Sequence, residues 1–329
     1  MPEGHSVHRL ARQFNDVFGG ASLAVSSPQG KFAAGAALVD GIVLERAEAH
    51  GKQMFLYFSQ DHVMRVHLGL YGAWDFGGDS TFTGASSIGA PRRIGEQEVA
   101  ADTGLGGGGG GDYTGPPEPK GAVRVRLVSA HGWADLRGPT ACEVITPDEA
   151  AAVRRKLGPD PLNNAPGDAE EFSRRIRKSS TSIALALMKQ DVLAGVGNVY
   201  RAEVLFRLGL DPMLPGRSLQ AEEAAALWGD IARTMADGVR DGRIITTELA
   251  DRSSGIGAEV GHALAPAGQP ETGDAAGGRC RTANKDVPVE DAHYVYKREG
   301  LPCRHCGTEV AMKDLGGRKL YWCPSCQGD

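Results

Sequence analysis

The chain has 329 residues, of which 41% are apolar and 23% are charged, so it can bury a substantial core and its length predicts two or three modules. No apolar run approaches the ~20 residues that span a bilayer, and the start MPEGHSVHRL lacks the features of a secretion signal, so we expect no membrane association and a cytoplasmic location. The net charge of −5 argues weakly against a nucleic-acid partner. Residues 173–210, however, carry seven basic and two acidic side chains and can face phosphates.

The first part of the chain predicts a helix followed by a β-rich module. After the start Pro2-Glu3-Gly4, apolar residues recur at helical spacing from Val7 to Val17, which places the chain start at a helix start. Residues 23–144 consist mostly of short β-prone runs, such as GIVLERAEAHGKQMFLYF and HVMRVHLGLYGAWDF. This pattern indicates a β-sandwich or a β-barrel.

Two low-complexity stretches, 102–121 and 253–278, interrupt the chain. Both are rich in Gly and Pro and lack a periodic apolar pattern, so we expect surface loops. The glycines of the first stretch match a dinucleotide-binding fingerprint only trivially, because no apolar strand precedes them and no helical pattern follows.

From about residue 146 the composition changes to helix formers. Helical spacing is present in EEFSRRIRKSSTSIALALMKQ, VYRAEVLFRLG and SLQAEEAAALWGDIARTMADGVRDG. The string GVGN at 195–198 opens the second of these helices, where glycines permit close backbone approach and helix amides attract phosphate. A tight turn capped by Asn198 would produce the same string.

The cysteines near the C-terminus have the spacing of a zinc site. Four of the six cysteines form two CxxC pairs separated by sixteen residues: Cys303, Cys306, Cys323 and Cys326. This spacing predicts one structural zinc ion with four thiolate ligands, and a closed set of four leaves no coordination position for chemistry. Cys142 and Cys280 fall outside the pattern and are interpreted as ordinary residues. Disulfides are not expected.

Several separated motifs together resemble the formamidopyrimidine-DNA glycosylase and endonuclease VIII family. They are the start MPEG, the LGPDPL at 157–162, the segment LMKQDVLAGVGNVYRAEVLFRLGLDP, and the tail VYKREGLPCRHCGTEVAMKDLGGRKLYWCPSCQ. The PEGH start and HLGLYG look closer to the endonuclease VIII branch, especially its actinobacterial members. The resemblance implies an α+β fold: an N-terminal helix and β-sandwich (1–145), a helix-two-turn-helix module (146–290) and a zinc-finger β-hairpin (291–329).

The resemblance also implies a bifunctional DNA glycosylase and abasic-site lyase of base excision repair, acting as a monomer on damaged DNA. It assigns Pro2 as the Schiff-base nucleophile, Glu3 as a proton donor, Lys52 as a catalyst of β-elimination, and Arg318 as a phosphate-binding residue implicated in δ-elimination. Each residue also has an ordinary interpretation: Pro and Glu are common at helix starts, and most lysines are solvated. Lys319 is interpreted as a plain surface charge.

Further residues are implied to contact DNA. Leu70 and Tyr71 would fill the gap left by an extruded base, Asn198 would contact the backbone, and Arg137 would approach the gap. The alternative for Leu70 and Tyr71 is a buried pair in a strand turn, and His67 is interpreted as structural. The chain lacks the Arg-Arg-Phe run of the formamidopyrimidine branch, which favours oxidised pyrimidines as lesions.

Two positions depart from the family pattern. Ser6 stands where both main branches usually carry glutamate, and Gly69 stands where the enteric endonuclease VIII pattern carries glutamine. These departures concern substrate preference, since Pro2, Glu3 and Lys52 are intact. A different class of protein, a damaged-DNA-binding protein that keeps the scaffold without cutting, stays open at this point.

Overall fold

A computed structural model of the chain describes residues 2–90, 115–252 and 287–328. The stretch 253–278 and most of 102–121 lie outside these ranges, as does Cys280, so the expectations for them stay predictions. Within the described ranges, none of the helices has both the length and the apolar character needed to cross a membrane.

The first module is an α-helix packed with two antiparallel sheets. In chain order its elements are α1 (Gly4–Phe18), β1 (Ala24–Ser26), α2 (Ala33–Val39), β2 (Leu44–His50), β3 (Gln53–Phe58), β4 (His62–His67), β5 (Ala73–Gly78), β6 (Ser87–Gly89), β7 (Val123–Val128), β8 (Gly132–Arg137) and β9 (Ala141–Ile145). One sheet has the order β1-β7-β8-β5-β6 and the other β2-β3-β4-β9. The strands form two sheets instead of one closed barrel, so the β-sandwich prediction is confirmed.

The core of this module combines α1 with both sheets. The apolar face predicted for α1 is buried, and Phe14 lies with its ring centroid 4.8 Å from that of Trp74 on β5. Val17 is only partly buried against this core. Helix α2 was not predicted, because its surroundings read as strands. Its alanine-rich sequence AAGAALV has few β-branched residues and favours a helix.

The second module is helical. Its elements are α3 (Pro147–Arg155), α4 (Asp168–Ile176), α5 (Ile183–Ala186), α6 (Asn198–Arg207), α7 (Ala221–Asp241) and short 3-10 turns at Gly216–Ser218, Leu249–Asp251 and Val289–Asp291. Helix α6 begins at Asn198, as predicted. The segment expected to be one helix at 170–190 is broken between α4 and α5. The Ser182 hydroxyl there accepts from the backbone N–H of Leu185, and such local bonds compete with helix continuation.

The C-terminal part is a β-hairpin followed by a short helix. It contains β10 (Ala311–Leu315), β11 (Arg318–Trp322) and α8 (Pro324–Gln327). The two-residue turn of Gly316 and Gly317 has φ of 61° and 72°, the left-handed pair that suits the twist of a tight hairpin. Leu320 belongs to the apolar core of the second module, so the hairpin is docked on that module.

Candidate active site

Three backbones meet at the start of the chain. The N–H of Gly4 donates to the carbonyl of Gly195 at 2.9 Å. Gly195 has φ of +96°, and a Cβ placed there would lie 3.4 Å from Cα of Gly51 and 3.6 Å from Cα of Gly4. The left-handed backbone favours glycine at Gly195, and the two Cα atoms lie at van der Waals contact distance from the position of a Cβ. The buried residue Pro2 therefore lies where α1, the β2–β3 turn and the loop before α6 come together.

Glu3 links the chain start to helix α6. Its fully buried carboxylate accepts the N–H of Gly197 at 2.8 Å and of Val199 at 2.9 Å, two otherwise unsatisfied donors at the α6 N-terminus. Burial raises the pKa of Glu3, while the Lys52 ammonium and these two N–H groups offset part of that rise. A carboxyl group in this setting holds a proton at higher pH than an exposed one, which suits a proton donor.

Lys52 lies in the turn between β2 and β3 and is half-buried. Burial lowers its pKa, the Glu3 carboxylate opposes this effect, and the Arg318 guanidinium lowers the pKa further. Lys52 thus interacts electrostatically with both Glu3 and Arg318, two side chains predicted from separate motifs. His67, at the end of β4 opposite Gln53, also lies near this group, since Lys52 contributes to lowering its pKa after burial.

Asp160, a residue not singled out from the sequence, fixes the turn that carries Lys52. Its fully buried carboxylate accepts the N–H of Gly51 at 2.7 Å, the Nε2–H of His8 at 2.8 Å and the N–H of Leu162 at 2.9 Å. Burial would raise the pKa of Asp160, but these hydrogen bonds and the charge of His8 outweigh it, and the pKa is lowered. The only hint in the sequence is an acidic residue inside the LGPDPL string.

The zinc hairpin reaches the same place through Arg318. Arg318 is the first residue of β11, directly after the two-glycine turn at the tip of the hairpin. Asn198 Nδ2 donates to the carbonyl of Lys319 at 2.9 Å, and Asn198 is itself buried. The predicted contact of Asn198 with DNA stays a prediction, while its contact with the hairpin is a second role.

The turn between β4 and β5 presents apolar side chains outward. Tyr71 is 80% exposed and Leu70 is 37% exposed, so the alternative of a buried pair is wrong. Gly69 has φ of +66°, and a Cβ there would lie 1.8 Å from the Thr140 hydroxyl. Glutamine therefore does not fit at Gly69 in this conformation, which gives a physical reason for the departure from the enteric pattern.

Other predicted residues are held within the protein. Arg137, on β8, forms an ion pair with the buried Asp75 of β5, so its approach to DNA stays a prediction. Ser6 is buried, and its hydroxyl lies 3.2 Å from Nε2 of His5. Five of the seven basic side chains in 173–210 bond to other groups of the chain: Arg174, Arg175, Arg177, Arg201 and Arg207. Three of these arginines, Arg174, Arg175 and Arg207, form ion pairs with carboxylates of the same module.

The four cysteines converge as predicted. The ligand sulfurs of Cys303, Cys306, Cys323 and Cys326 all lie within 4.8 Å of one another. Two of the separations, Cys303–Cys326 and Cys306–Cys323, are 3.8 and 3.5 Å. A tetrahedral zinc ion with Zn–S bonds of about 2.3 Å needs sulfurs about 3.8 Å apart, so the donor set fits zinc. Bound zinc would hold the hairpin that carries Arg318.

Glu203, also missed from the sequence, anchors the segment that leads into the zinc finger. Its fully buried carboxylate accepts the N–H groups of Tyr294, Val295 and Tyr296 at 2.8, 2.9 and 2.7 Å, together with the Thr246 hydroxyl. One side chain on α6 therefore satisfies three successive backbone donors. An acidic residue in an otherwise apolar helix face was the available signal.

The β-sandwich, the helical module and the four-cysteine hairpin meet at a buried carboxylate and a half-buried lysine. This arrangement defines an Fpg-like DNA glycosylase scaffold. Residues 1–129 match the N-terminal domain of formamidopyrimidine-DNA glycosylase, 157–249 its H2TH domain, and 300–328 the zinc finger found in FPG and IleRS.

Known proteins are similar to this chain over its whole length or over about half of it. Endonuclease 8 1 of Mycobacterium tuberculosis is 41% identical over 327 residues, which cover 99% of this chain and 100% of that protein. Formamidopyrimidine-DNA glycosylase of Thermus thermophilus is 34% identical over 177 residues, covering 53% and 54% of the two chains. A Lactococcus lactis FPG mutant bound to Fapy-dG-containing DNA shares the fold, with a TM-score of 0.67, 18% identity and full coverage of both chains.

The chain therefore belongs to the formamidopyrimidine-DNA glycosylase and endonuclease VIII family, and it is a DNA glycosylase of base excision repair with a zinc finger. The recognition made from the motifs and the α+β fold class are confirmed.

Proposed function

We propose that this glycosylase removes oxidised bases, with a preference for pyrimidines, through a Schiff base at Pro2 and then cuts the abasic strand by β,δ-elimination. The observation that carries the proposal is the buried junction at the chain start, where Glu3 and Lys52 lie beside Pro2 and shift each other's pKa. Perturbed acid and base pairs of this kind are typical of catalytic centres.

The first step uses the chain terminus. Removal of Met1 would leave the Pro2 secondary amine free, and an α-amine has a pKa of about 7.7–8.0, so a neutral nucleophilic fraction exists near neutral pH. The proline nitrogen forms a bond to the sugar C1′ with its lone pair as the glycosidic bond breaks. The base leaves with the electron pair of the glycosidic bond and takes up a proton. The nitrogen then loses its proton, Glu3 protonates O4′ as the ring opens, and an iminium joins Pro2 to C1′.

The second step uses the iminium as an electron sink. Loss of a C2′ proton lets the C3′–O bond break, so the 3′ phosphate leaves with the electron pair, and Lys52 serves as the proton-transfer group. Loss of a C4′ proton then allows the C5′–O bond to break in δ-elimination, with Arg318 binding the phosphate through its planar guanidinium. Water hydrolyses the iminium and restores Pro2.

Substrate access depends on the exposed turn. A base inside a duplex must be extruded before C1′ is attacked, and the gap must be filled or the base restacks. The exposed side chains of Leu70 and Tyr71 suit that role. Asn198 and Arg137 would contact the backbone and the gap. The pyrimidine preference is supported by the absence of the Arg-Arg-Phe run and by the full-length similarity to Endonuclease 8 1. We expect a monomer that acts in the bacterial cytosol.

Borohydride trapping on abasic and thymine-glycol DNA tests the proposal. The wild-type protein is expected to form a covalent adduct, whereas Pro2→Thr, or a protein with an uncleaved N-terminal tag, should bind the same DNA without forming one. Glu222→Gln, a change at an exposed residue in the first turn of α7, serves as the control. Absence of a wild-type adduct, or an undiminished adduct in Pro2→Thr, contradicts the proposed chemistry.

A further inference from the structure

Arg201, in the first turn of α6, is a cation whose burial is not expected to stabilise the fold. It is fully buried, and its Nη2 donates to Oδ1 of Asn198 and, at 3.2 Å, to the carbonyl of Lys319. Within the described ranges its Nε and Nη1 meet no acceptor, and no carboxylate forms an ion pair with it. Burying an arginine without a carboxylate partner costs more than an apolar residue of similar size would.

The two acceptors of Arg201 connect α6 to the zinc hairpin. The carbonyl of Lys319 receives one donor from Asn198 at 2.9 Å and a second from Arg201. This carbonyl belongs to the residue directly after Arg318 in β11. The backbone beside Arg318 is therefore held by two side chains of α6.

Arg201 also fixes the orientation of the Asn198 side chain. Because Oδ1 of Asn198 accepts from the guanidinium, the amide cannot flip without placing its N–H groups against a cation. Its Nδ2 is thereby kept on the Lys319 carbonyl. The same helix end holds Glu3 through the N–H groups of Gly197 and Val199. One helix start thus sets the positions of both Glu3 and the hairpin.

The charges at this point suit an anion. Glu3 and Arg318 are the charged groups that act most strongly on Arg201, with Glu3 raising and Arg318 lowering its pKa after burial has lowered it. Lys52 and Arg201 each interact with the Glu3 carboxylate and with the Arg318 guanidinium, so three cations are grouped with one carboxylate. A phosphate bound at Arg318 would compensate the excess positive charge.

We propose that Arg201 is a positioning residue that, through Asn198 and the Lys319 carbonyl, holds Arg318 where it binds a DNA phosphate. This inference rests on the phosphate-binding role proposed above for Arg318. Arg201 itself is too buried to touch DNA, so its effect must pass through the hairpin.

The test measures binding of a duplex with a tetrahydrofuran abasic analogue as a function of salt concentration. Loss of one phosphate contact lowers the slope of log K against log salt by about 0.9. Arg318→Ala is expected to show that loss with about tenfold weaker binding. Arg201→Met should show the same fall in slope, and the double variant should be no weaker than Arg318→Ala. Arg201→Lys should be intermediate, since an ammonium replaces only part of the planar fork.

The controls separate positioning from a folding defect. Arg201→Met should retain zinc, and at saturating protein concentration its Pro2 adduct should stay within about twofold of wild type, because saturation removes the effect of weaker DNA binding and Glu3 is held by separate bonds to the backbone. Arg233→Met, an exposed arginine of α7, is the matched control and should keep the wild-type slope. If Arg201→Met loses zinc or does not fold, Arg201→Lys decides the question by its slope.

Three results would overturn the inference, and they are distinguishable. A wild-type slope in the folded Arg201 variant, or additive losses in the double variant, means that Arg201 does not act through Arg318. A wild-type slope in Arg318→Ala removes the proposed phosphate contact itself, and this inference falls with it.

Discussion

Replacing Asp160 by Asn keeps the shape of the side chain and removes the charge that holds the Lys52 turn. The amide oxygen can still face Gly51 and His8, but the amide nitrogen then faces the N–H of Leu162, which loses its acceptor. Bonds to a charged group contribute about 1.5–3 kcal/mol and neutral bonds about 0.5–1.5, so two weakened bonds and one unsatisfied donor should destabilise the protein by about 3 kcal/mol.

Thermal unfolding measures this loss. At about 2–4 °C for each kcal/mol, the melting temperature of Asp160→Asn should fall by roughly 6–12 °C near neutral pH. Asp148→Asn, which removes an exposed carboxylate from the first turn of α3, is the control and should melt like the wild type. A melting temperature within about 1 °C of wild type would refute the assigned role of Asp160.

The pH dependence of the same variant follows from the lowered pKa of Asp160. A carboxyl group with a folded pKa below the unfolded value of about 3.9 contributes stability that is complete above that value. The contribution is lost as the pH falls through the folded pKa. The difference in melting temperature between wild type and Asp160→Asn should therefore shrink as the pH is lowered below about 4. A difference that grows on acidification would show that the charge of Asp160 is not the source.

Asp160→Asn should also slow strand cleavage. In the variant the N–H of Gly51 donates to a neutral amide oxygen instead of a carboxylate, so the turn is held less firmly and Lys52 is less precisely oriented. Small displacements of catalytic groups are costly, and we expect the cleavage rate on preformed abasic DNA to fall on the order of tenfold in single-turnover assays. DNA binding should change less than the rate.

Three further substitutions test separate parts of the molecule. Glu203→Gln turns an amide nitrogen toward backbone donors of the 294–296 segment, so it should lower the free energy of unfolding by about 2–4 kcal/mol in a denaturant titration. The variant should also lose zinc to a chelator faster, and an unchanged unfolding midpoint would contradict the anchoring role. Gly69→Gln should lower the rate of base excision from duplex DNA, since the new Cβ meets the Thr140 hydroxyl. Adding Thr140→Ala should restore part of the lost rate. Full activity of the single variant would show that the turn adapts. Tyr71→Ala should change the free energy of unfolding by no more than about 0.5 kcal/mol, because the ring is exposed. It should reduce base excision from duplex DNA more than from single-stranded DNA. Equal losses on both substrates would show that Tyr71 does not fill the gap left by the extruded base.

Features encoded by neighbouring residues could be predicted from the sequence. The CxxC pairs predicted the four-sulfur cluster, because two residues between cysteines set the local geometry of each ligand pair. The periodic apolar residues of α1 predicted its buried face, and GVGN predicted the start of α6 at Asn198. Each of these signals lies within one continuous segment of the chain.

Features that depend on distant partners could not be predicted. Asp160 bonds to Gly51, 109 residues away, and the bonds of Glu203 to the 294–296 segment reach across 91 to 93 residues. Arg137, proposed as a DNA contact, lies opposite Ala73 in the register of β5 and β8 and forms an ion pair with Asp75 of β5. No period or spacing in the sequence encodes these pairings.

The sequence by itself therefore determined the chemical groups of the site: a proline and glutamate at the chain start, a lysine in a turn, an arginine in a cysteine-flanked hairpin. The tertiary structure alone decided which charged side chains are buried and hydrogen-bonded within the protein, as Arg201 and Asp160 are, and which face outward. The physical reason is that burial and long-range hydrogen bonds set the cost and pKa of each charge, and both arise only when the separate modules pack together.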